Sequence, residues 1–402
     1  GSKNSSDNSS MAYPVLTWSD GAEVKQKDIP VDIPDKPITV IRREENDSND
    51  IVNLLEDKLS DGGCAAVIVN SVAYSQELAD TIAANMPDYR VICFHSRLIS
   101  TDRAVIEREL TELVGKKSTC EKRDKLIVVG TQVLEQSLDI DFDYMITELC
   151  PMDLLLQRSG RLHRHNRTRP DKLSEPELCV LIPEDFSKSV YSGWILKQTE
   201  KYLPDKLVIP GCIPELVGAV YSEPDNDEQQ TAEYRKYSDE QKEKKQRAKK
   251  YCIPSQKINR SDSTLSDMIN RRELNNDSDG EAAVRDGQET IEALVLVKTS
   301  DTEYSLFSRD AVFDITSVPD NAQAKLIAKQ RLRLPAFFSK SYNFGKTIEI
   351  LANSMPQAWR NAKWLKGEIL LLLDGNNKIS MLGRTYKYST ERGFEEIKEE
   401  ES

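Results

Sequence analysis

A short arginine-rich run carries residue types that could hold a phosphoryl group during transfer. Its sequence is Gln157-Arg-Ser-Gly-Arg-Leu-His-Arg164, and Arg161 and Arg164 stand three positions apart, on one side of a helical turn. A guanidinium fork matches phosphate oxygens and stays charged at any working pH. Two such forks and the Gln157 amide suit the spread negative charge of phosphoryl transfer, and Gly160 would let the backbone approach closely. A surface arginine cluster that only forms ion pairs is the alternative.

A second polar set lies upstream, where an apolar run ends. Thr131 and Gln132 follow the strand-like residues 125–129, so the Thr131 hydroxyl is expected to project beyond the end of a strand. Asp139 precedes the next strand-like run. Its carboxylate could accept from a ribose hydroxyl or orient an attacking water, and capping of a helix or turn is the alternative.

The elements that would position these residues alternate regularly from residue 38 to residue 183. Apolar runs are separated by segments of about ten to fifteen residues that repeat apolar side chains at helical spacing. This alternation predicts an α/β fold, a parallel sheet covered by helices on both faces. The predicted strands are 38–42, 65–69, 89–94, 125–129, 144–147 and 178–181, and the predicted helices are 47–59, 73–86 and 101–114.

Parallel sheets bind ligands in the loops beyond the carboxyl ends of their strands, an edge that we call the carboxyl rim. Three polar groups follow predicted strands in this way: Asn70-Ser71, His95-Ser96-Arg97 and Thr131-Gln132. We therefore expect all three groups on the carboxyl rim. A packed histidine at a strand end is the alternative for His95, and a surface ion pair is the alternative for Arg97.

Changes in composition predict four regions. Residues 1–37 are polar and Pro-punctuated, which is typical of an interdomain lead-in, and residues 38–221 hold the predicted sheet. Residues 222–288 are rich in charged side chains, which favours a solvated helix or a disordered linker. Apolar periodicity returns from 289 to 402 and predicts a small α+β domain. Its predicted elements are strand 290–298, helices 321–333 and 347–354, and a hairpin of 368–373 with 378–382.

The composition excludes several kinds of protein. The 402 residues hold 55 basic and 67 acidic side chains, a formal net charge of −12, so contact with nucleic acid requires a local basic patch. Residues 157–172 would supply one, with six Lys or Arg against a single Asp. No run of about 18 apolar residues predicts a membrane span. Seven scattered cysteines and three histidines predict no metal site.

The stretch from Thr131 to His165 resembles motifs V and VI of superfamily 2 helicases, which belong to the second of two RecA-like domains. Its sequence, TQVLEQSLDIDFDYMITELCPMDLLLQRSGRLHRH, is more similar still to the helicase–nuclease of type I CRISPR systems, which the Cascade surveillance complex recruits. Segments 13–18, 94–97, 282–291 and 359–395 are similar as well. The resemblance implies the C-terminal portion of that family, with a second RecA-like lobe, a linker and an accessory domain.

The resemblance also implies roles for individual residues. Arg161 and Arg164 resemble arginine fingers that face the γ-phosphate of ATP, with Gln157 and Gly160 beside them. Asp139 and the Ser137 backbone resemble the motif V contacts to ATP. Contacts to single-stranded DNA are implied for Thr131, Gln132, Asn70, Ser71, His95, Ser96 and Arg97.

The chain shows no residues that match the rest of a nucleotide site. A phosphate loop requires G-x-x-x-x-G-K-[ST] after a strand, and the one G-K-[ST], Gly345-Lys346-Thr347, has Lys340 where the first glycine belongs. We interpret that segment as a helix start. In the family, ATP lies between two RecA-like lobes, so the first lobe is expected to supply the Walker lysine and to hold Mg²⁺.

The sequence thus predicts one half of an ATP-dependent single-stranded DNA translocase and nuclease that degrades invader DNA in the prokaryotic cytoplasm. The expected partners are single-stranded DNA, Cascade, and the HD nuclease and first RecA-like lobe of the same protein, without a membrane. The chain alone is expected neither to hydrolyse ATP nor to cleave DNA. Two alternatives stay open: a non-catalytic module that docks on DNA or Cascade, and the second lobe of another superfamily 2 helicase.

Overall fold

A computed structural model gives the fold and describes residues 13–19, 23–30, 34–44, 47–135, 138–251 and 290–397. The chain divides into two compact units. Gly1–Glu223 and Ile291–Ser402 belong to the first unit, and Pro224–Thr290 form the second. The first unit therefore contains both the predicted lobe and the predicted C-terminal domain.

The lobe is built on a seven-stranded sheet. A two-stranded hairpin, β1 (Val15–Ser19) and β2 (Val24–Asp28), precedes it within the predicted lead-in. The sheet strands are β3 (Lys36–Glu44), β4 (Cys64–Ile68), β5 (Arg90–Phe94), β6 (Leu126–Gly130), β7 (Tyr144–Glu148), β8 (Glu177–Ile182) and β9 (Lys206–Ile209). Their order is β5-β6-β4-β7-β8-β3-β9, and only β9 runs antiparallel to its neighbour. The prediction of a parallel α/β sheet is confirmed.

Helices connect these strands and cover the sheet. They are α1 (Ser48–Lys58), α2 (Val72–Asn85), α3 (Ser100–Val114), α4 (Cys120–Arg123), α5 (Met152–Ser159), α6 (Gly193–Tyr202) and α7 (Ile213–Tyr221). Every residue of β4 is buried, as expected for a central parallel strand that has both faces covered. Leu55 of α1 and Leu78 and Ile82 of α2 pack in the same apolar cluster as Val67 of β4.

The charged region contains a helix, α8 (Ala232–Tyr251), whose side chains are mostly exposed from residue 232 to residue 246. Its mean composition is strongly polar, so the solvated-helix alternative applies to this part of the predicted linker. Residues 252–289, where the rest of that prediction falls, lie outside the described residues.

The C-terminal domain is α+β, as predicted. Its larger sheet contains β10 (Glu292–Lys298), β11 (Glu303–Ser305), β12 (Val312–Asp314), β13 (Arg331–Arg333) and β14 (Leu370–Leu373). β15 (Lys378–Met381), β16 (Arg384–Ser389) and β17 (Gly393–Ile397) form an antiparallel meander. The helices are α9 (Asn321–Ala328), α10 (Ala336–Ser339) and α11 (Ser341–Ser354).

Two predictions in this domain are wrong. The predicted helix 321–333 ends at Ala328, and β13 follows because residues 331–333 pair with β10. The turn of the predicted hairpin closes, with the Asp374 N–H donating to the Lys378 carbonyl at 2.8 Å. In the described pairings, however, β14 joins β10 and β15 joins β16, so the two strands belong to different sheets.

The Gly345-Lys346-Thr347 segment lies inside a helix. It occupies the middle of α11, where the Thr347 hydroxyl donates to the Asn343 carbonyl at 2.9 Å. The backbone N–H groups of a helix interior are bonded along the helix and cannot cradle a phosphate. The segment is therefore not a phosphate loop.

Candidate functional site

The carboxyl ends of β4 and β6 bring Asn70 and Gln132 together. Gln132 Nε2 donates to the Asn70 carbonyl at 3.3 Å and to the Tyr191 hydroxyl at 3.0 Å. Thr131 is buried beside them, and its N–H donates to the Phe94 carbonyl at 3.3 Å. These residues therefore share one edge of the sheet.

Ser71 lies on the same edge, at the start of α2. It occupies the N-cap position and is exposed, and its side chain makes no capping bond. The Ser71 hydroxyl is therefore not used to cap this helix.

A buried arginine that the sequence analysis did not single out holds this edge. Arg158 Nε lies 2.7 Å from Glu135 Oε1, and its Nη1 donates to the Thr147 hydroxyl at 2.7 Å. Its Nη2 donates to Asn70 Oδ1 at 3.0 Å. The one available signal was helical spacing, since Arg158 follows Leu155 by three positions on the buried face of α5.

Arg161 holds the loop after β6. Its Nη1 donates to the Leu138 carbonyl at 2.5 Å and its Nη2 to the Glu135 carbonyl at 2.8 Å, while Nε is buried without a hydrogen-bond partner among the described residues. Burial lowers the pKa of Arg161, and the positive charge of Arg164 lowers it further, whereas Asp139 opposes the shift. Arg161, Arg164 and Asp139 therefore form one electrostatically coupled group.

Arg164 and Asp139 face solvent. Arg164 Nε donates to Asp139 Oδ1 at 2.7 Å, and the two side chains are 42% and 51% exposed. His165 Nε2 lies 3.1 Å from the same oxygen. The bond from Arg164 holds the pKa of Asp139 below its usual value. The cation and the carboxylate are thus accessible to a ligand from outside the lobe.

The remaining predicted nucleotide contacts lie beside this pair or outside the described residues. Gln157 is exposed on α5. Gly160 follows that helix with a φ of −64°, and a Cβ there would approach only the Gln157 and Leu156 carbonyls, at 3.4 and 3.5 Å. The fold itself therefore does not require glycine at 160. Ser137 lies outside the described residues.

His95 is packed inside the protein. It is fully buried, its Nδ1 accepts from the Arg97 N–H at 3.1 Å, and its Nε2 lies 3.0 Å from the Arg392 carbonyl. Burial lowers the pKa of His95 to about 4. This arrangement is the packed-histidine alternative, and it removes His95 from the surface that Gln132 shares. Ser96 and Arg97, next in the chain, are half-buried.

The basic run 157–172 is not the surface patch that its composition predicts. Arg158 is buried, and Arg167 and Arg169 contact the buried Asp141 through Nε and Nη2 at 2.7 and 2.9 Å. Lys172 contacts Asp57 at 3.2 Å. That expectation is wrong because most of these cations are already neutralised within the lobe.

Two kinds of site are absent from the described residues. No group of three or more His, Cys, Asp or Glu in those parts of the chain could hold a metal ion. None of the described helices is long and apolar enough to cross a bilayer.

The lobe is a parallel α/β sheet with polar groups on its carboxyl rim, and an arginine pair beside a carboxylate follows in the chain. It is a RecA-like lobe, here joined to an α+β domain. Solved structures share this fold. A crystal structure of T. fusca Cas3 with ATP has a TM-score of 0.73 at 24% identity, covering 92% of this chain and 44% of that chain. A CRISPR RNA-guided surveillance complex before nicking contains a chain with a TM-score of 0.72 at 23% identity, covering 95% of this chain and 48% of that chain.

Sequence comparisons identify the family. The profile described as CRISPR-associated nuclease/helicase Cas3, C-terminal, matches residues 61–167, and the profile of the Cas3 C-terminal domain matches residues 285–394. The Streptococcus thermophilus CRISPR-associated nuclease/helicase Cas3 is 36% identical over 404 residues, 95% of this chain. The chain belongs to the Cas3 family and corresponds to its C-terminal portion. It spans 43% of the length of that relative.

Proposed function

We propose that this chain is the second RecA-like lobe and accessory domain of an ATP-driven translocase on single-stranded DNA. In this proposal Arg161 and Arg164 are arginine fingers for the γ-phosphate, and Gln157, Gly160, Asp139 and the Ser137 backbone line the nucleotide beside them. A first RecA-like lobe holds the rest of ATP together with its Mg²⁺. The chain alone neither hydrolyses ATP nor cleaves DNA.

The observation that carries the proposal is the arrangement of charge around Arg161, Arg164 and Asp139. Two guanidinium groups, those of Arg161 and Arg164, act on one another beside the exposed carboxylate of Asp139. The Asp141 carboxylate also lies close, accepting from the Arg164 N–H at 2.8 Å, but it is buried and already contacted by Arg167 and Arg169. An incoming triphosphate would relieve their repulsion, and Arg164 could exchange its bond to Asp139 for bonds to phosphate oxygens. A related solved structure that contains ATP supports a nucleotide as this anion.

The two arginines would act differently during the cycle. Arg161 already fixes the backbone at Glu135 and Leu138, so it keeps Asp139 in place, whereas Arg164 is exposed and able to reorient. Closure of the two lobes would bring both to the γ-phosphate. Each finger is expected to lower the barrier by about 4 to 7 kcal/mol, from the ~10³–10⁵-fold effect of arginine fingers.

The carboxyl rim would hold the DNA backbone. Gln132 and Thr131 lie next to Asn70, and the exposed Ser71 hydroxyl, which makes no capping bond at the start of α2, would contact a phosphate. Ser96 and Arg97 continue this edge beyond β5. The side chains of His95 and Thr131 are left out of the contact set because both are buried. The two lobes would bind the single-stranded DNA alternately and so move it.

Docking on a Cascade-type complex is the second part of the proposal. It is supported by the shared fold with a chain of a CRISPR RNA-guided surveillance complex. A module that only docks, without a catalytic role, has less support because it would not explain the exposed Arg164–Asp139 pair.

Reconstitution tests the catalytic proposal. This chain is mixed with a first RecA-like lobe of the family, and ATP hydrolysis is measured with single-stranded DNA. Arg161→Ala and Arg164→Ala are expected to lower kcat by ~10³–10⁵-fold, and Lys172→Ala, which removes a surface cation outside the site, is the control. Equal hydrolysis by wild type and either arginine variant would refute the finger assignment. Stimulation by RNA as strong as by DNA would indicate a different superfamily 2 helicase.

A further inference from the structure

The last strand of the accessory domain contacts the lobe through the residues that follow β5. The Phe394 N–H donates to the Arg97 carbonyl at 2.8 Å. Two positions before Phe394, the Arg392 carbonyl accepts from Gln76 Nε2 at 2.6 Å and lies 3.0 Å from His95 Nε2. The backbone therefore bonds to the lobe at two points, at Arg392 just before β17 and at Phe394 within it.

A second contact holds the segment just beyond Arg97. The Tyr388 hydroxyl accepts from the Ile99 N–H at 3.0 Å and donates to Asp102 Oδ2 at 2.6 Å. Ile99 itself is fully buried in the apolar cluster of the accessory domain, together with Phe394. The segment from His95 to Asp102 is thus fixed at both ends by accessory-domain residues.

Gly393 makes the close approach possible. It has a φ of +66°, and a Cβ at this position would lie 2.3 Å from the Arg97 carbonyl oxygen and 2.7 Å from His95 Cε1. Backbone atoms such as the Arg97 carbonyl cannot shift cheaply. A side chain at 393 would therefore push β17 away from residues 95–97.

The bonds define the state of the His95 ring. Since Nδ1 accepts from the Arg97 N–H, the neutral ring carries its proton on Nε2 and donates it to the Arg392 carbonyl. The Arg97 N–H and carbonyl are both engaged in this way, one through His95 and one by Phe394. The direction in which the Arg97 side chain leaves the backbone is set by these two bonds.

We propose that β17, together with Arg392 just before it, is a positioning element for DNA binding. Gly393, Arg392 and His95 fix the backbone of Ser96 and Arg97. The affinity for single-stranded DNA therefore depends on the accessory domain, although β17 itself does not contact the DNA. This inference rests on the proposed function, which places Ser96 and Arg97 on the DNA. His95, Arg392 and Gly393 are positioning residues.

A matched pair of glycine variants tests the inference. Gly383 has a φ of +77° and nothing within 4 Å of an added Cβ, so Gly383→Ala introduces the same backbone strain as Gly393→Ala without the collision. Binding of a fluorescent oligo-dT to the full chain is measured by anisotropy. Gly393→Ala is expected to bind about tenfold more weakly, the loss of about one hydrogen bond to a charged phosphate, and Gly383→Ala like wild type.

A spectroscopic readout separates positioning from a general loss of stability. The imidazole ¹⁵N shifts of His95 report its tautomer, and the expected result is a single Nε2–H form in wild type and Gly383→Ala, and a mixture in Gly393→Ala. If Gly393→Ala does not fold, Tyr388→Phe replaces it, because it removes the bonds to Ile99 and Asp102 without adding volume. This variant is also expected to bind DNA more weakly.

The outcomes distinguish this inference from the proposed function. Arg97→Ala is measured in parallel. If it weakens binding while Gly393→Ala or Tyr388→Phe binds like wild type, the positioning role is overturned and the DNA rim stands. If Arg97→Ala binds like wild type, the DNA assignment of this segment fails, and the inference fails with it. Weaker binding by Arg97→Ala and Gly393→Ala, with a normal control, supports both.

Discussion

The guanidinium of Arg158 is fully buried and lies 2.7 Å from the carboxylate of Glu135. Through Asn70 and Thr147 it also connects the ends of β4 and β7 to the loop after β6. The first arginine of the Gln157–Arg164 run is therefore structural, and the residues proposed for chemistry are the two that follow it.

Loss of Arg158 should destabilise the lobe strongly. Arg158→Met keeps most of the volume but leaves Glu135 as an uncompensated buried charge, which costs about 3–5 kcal/mol. Urea unfolding of the full chain measures the change. Arg164→Met, which breaks the exposed pair with Asp139, is the control and should lower the free energy of unfolding by under about 1 kcal/mol. Similar losses from both variants would contradict the structural role of Arg158.

Replacement of Gly345 should stabilise the protein. The residue lies inside α11 with nothing within 4 Å of an added Cβ, so Gly345→Ala should raise the free energy of unfolding by about 0.5–1 kcal/mol. ATP hydrolysis in the reconstituted mixture should not change. Gly130→Ala is the contrasting variant, because its Cβ would meet the Phe94 carbonyl at 2.5 Å, and it should destabilise. Loss of hydrolysis in Gly345→Ala would revive the phosphate-loop interpretation.

Stability should fall as the solution is acidified, in part because of His95. Burial lowers its pKa in the folded chain to about 4, while the unfolded ring titrates near its ordinary value of 6.5. The unfolded state therefore binds a proton first, and the free energy of unfolding declines from about pH 6.5 toward pH 4, by roughly 3 kcal/mol for this group.

Urea midpoints collected between about pH 7 and pH 5 test this slope. His95→Gln keeps an N–H donor for the Arg392 carbonyl but cannot be protonated in this range. It should be less sensitive to pH than wild type. Parallel curves for the two proteins would show that His95 does not carry the effect.

Arg169 should matter for stability and not for the salt dependence of DNA binding. Its Nη2 contacts the buried Asp141 at 2.9 Å, so it has no free charge to displace counterions from DNA. Arg169→Gln should therefore lower the urea midpoint and leave the slope of log K against log salt unchanged. Arg97→Gln is the comparison and should reduce that slope by about one. A reduced slope in Arg169→Gln would restore the basic-patch hypothesis.

The sheet was predictable because its signal is local. β4 and β6 are continuous apolar runs that become buried strands, and Asp47 accepts from the Asn49 N–H at the start of α1, a capping arrangement that sequence can indicate. β9 and β13 are short, mixed strands whose existence depends on pairing with β3 and β10. Such pairing is a tertiary effect that overrides local preference.

The site was only half predictable for the same reason. The motif indicated which arginines are candidates for binding phosphate. It did not indicate that Arg158 is buried, because its partner Glu135 lies 23 positions away in the sequence. Likewise, nothing near His95 in the sequence indicates Arg392, which lies 297 positions away and covers it.

The shared apolar cluster of Ile99 and Phe394 has a consequence for the integrity of the molecule. A protease that cuts the backbone between residues 224 and 290 would sever the covalent path from the lobe to the accessory domain but leave their common hydrophobic contacts untouched. The two fragments should migrate separately in denaturing electrophoresis and elute together from a sizing column, so the protein would survive a nick in this region as a non-covalent complex.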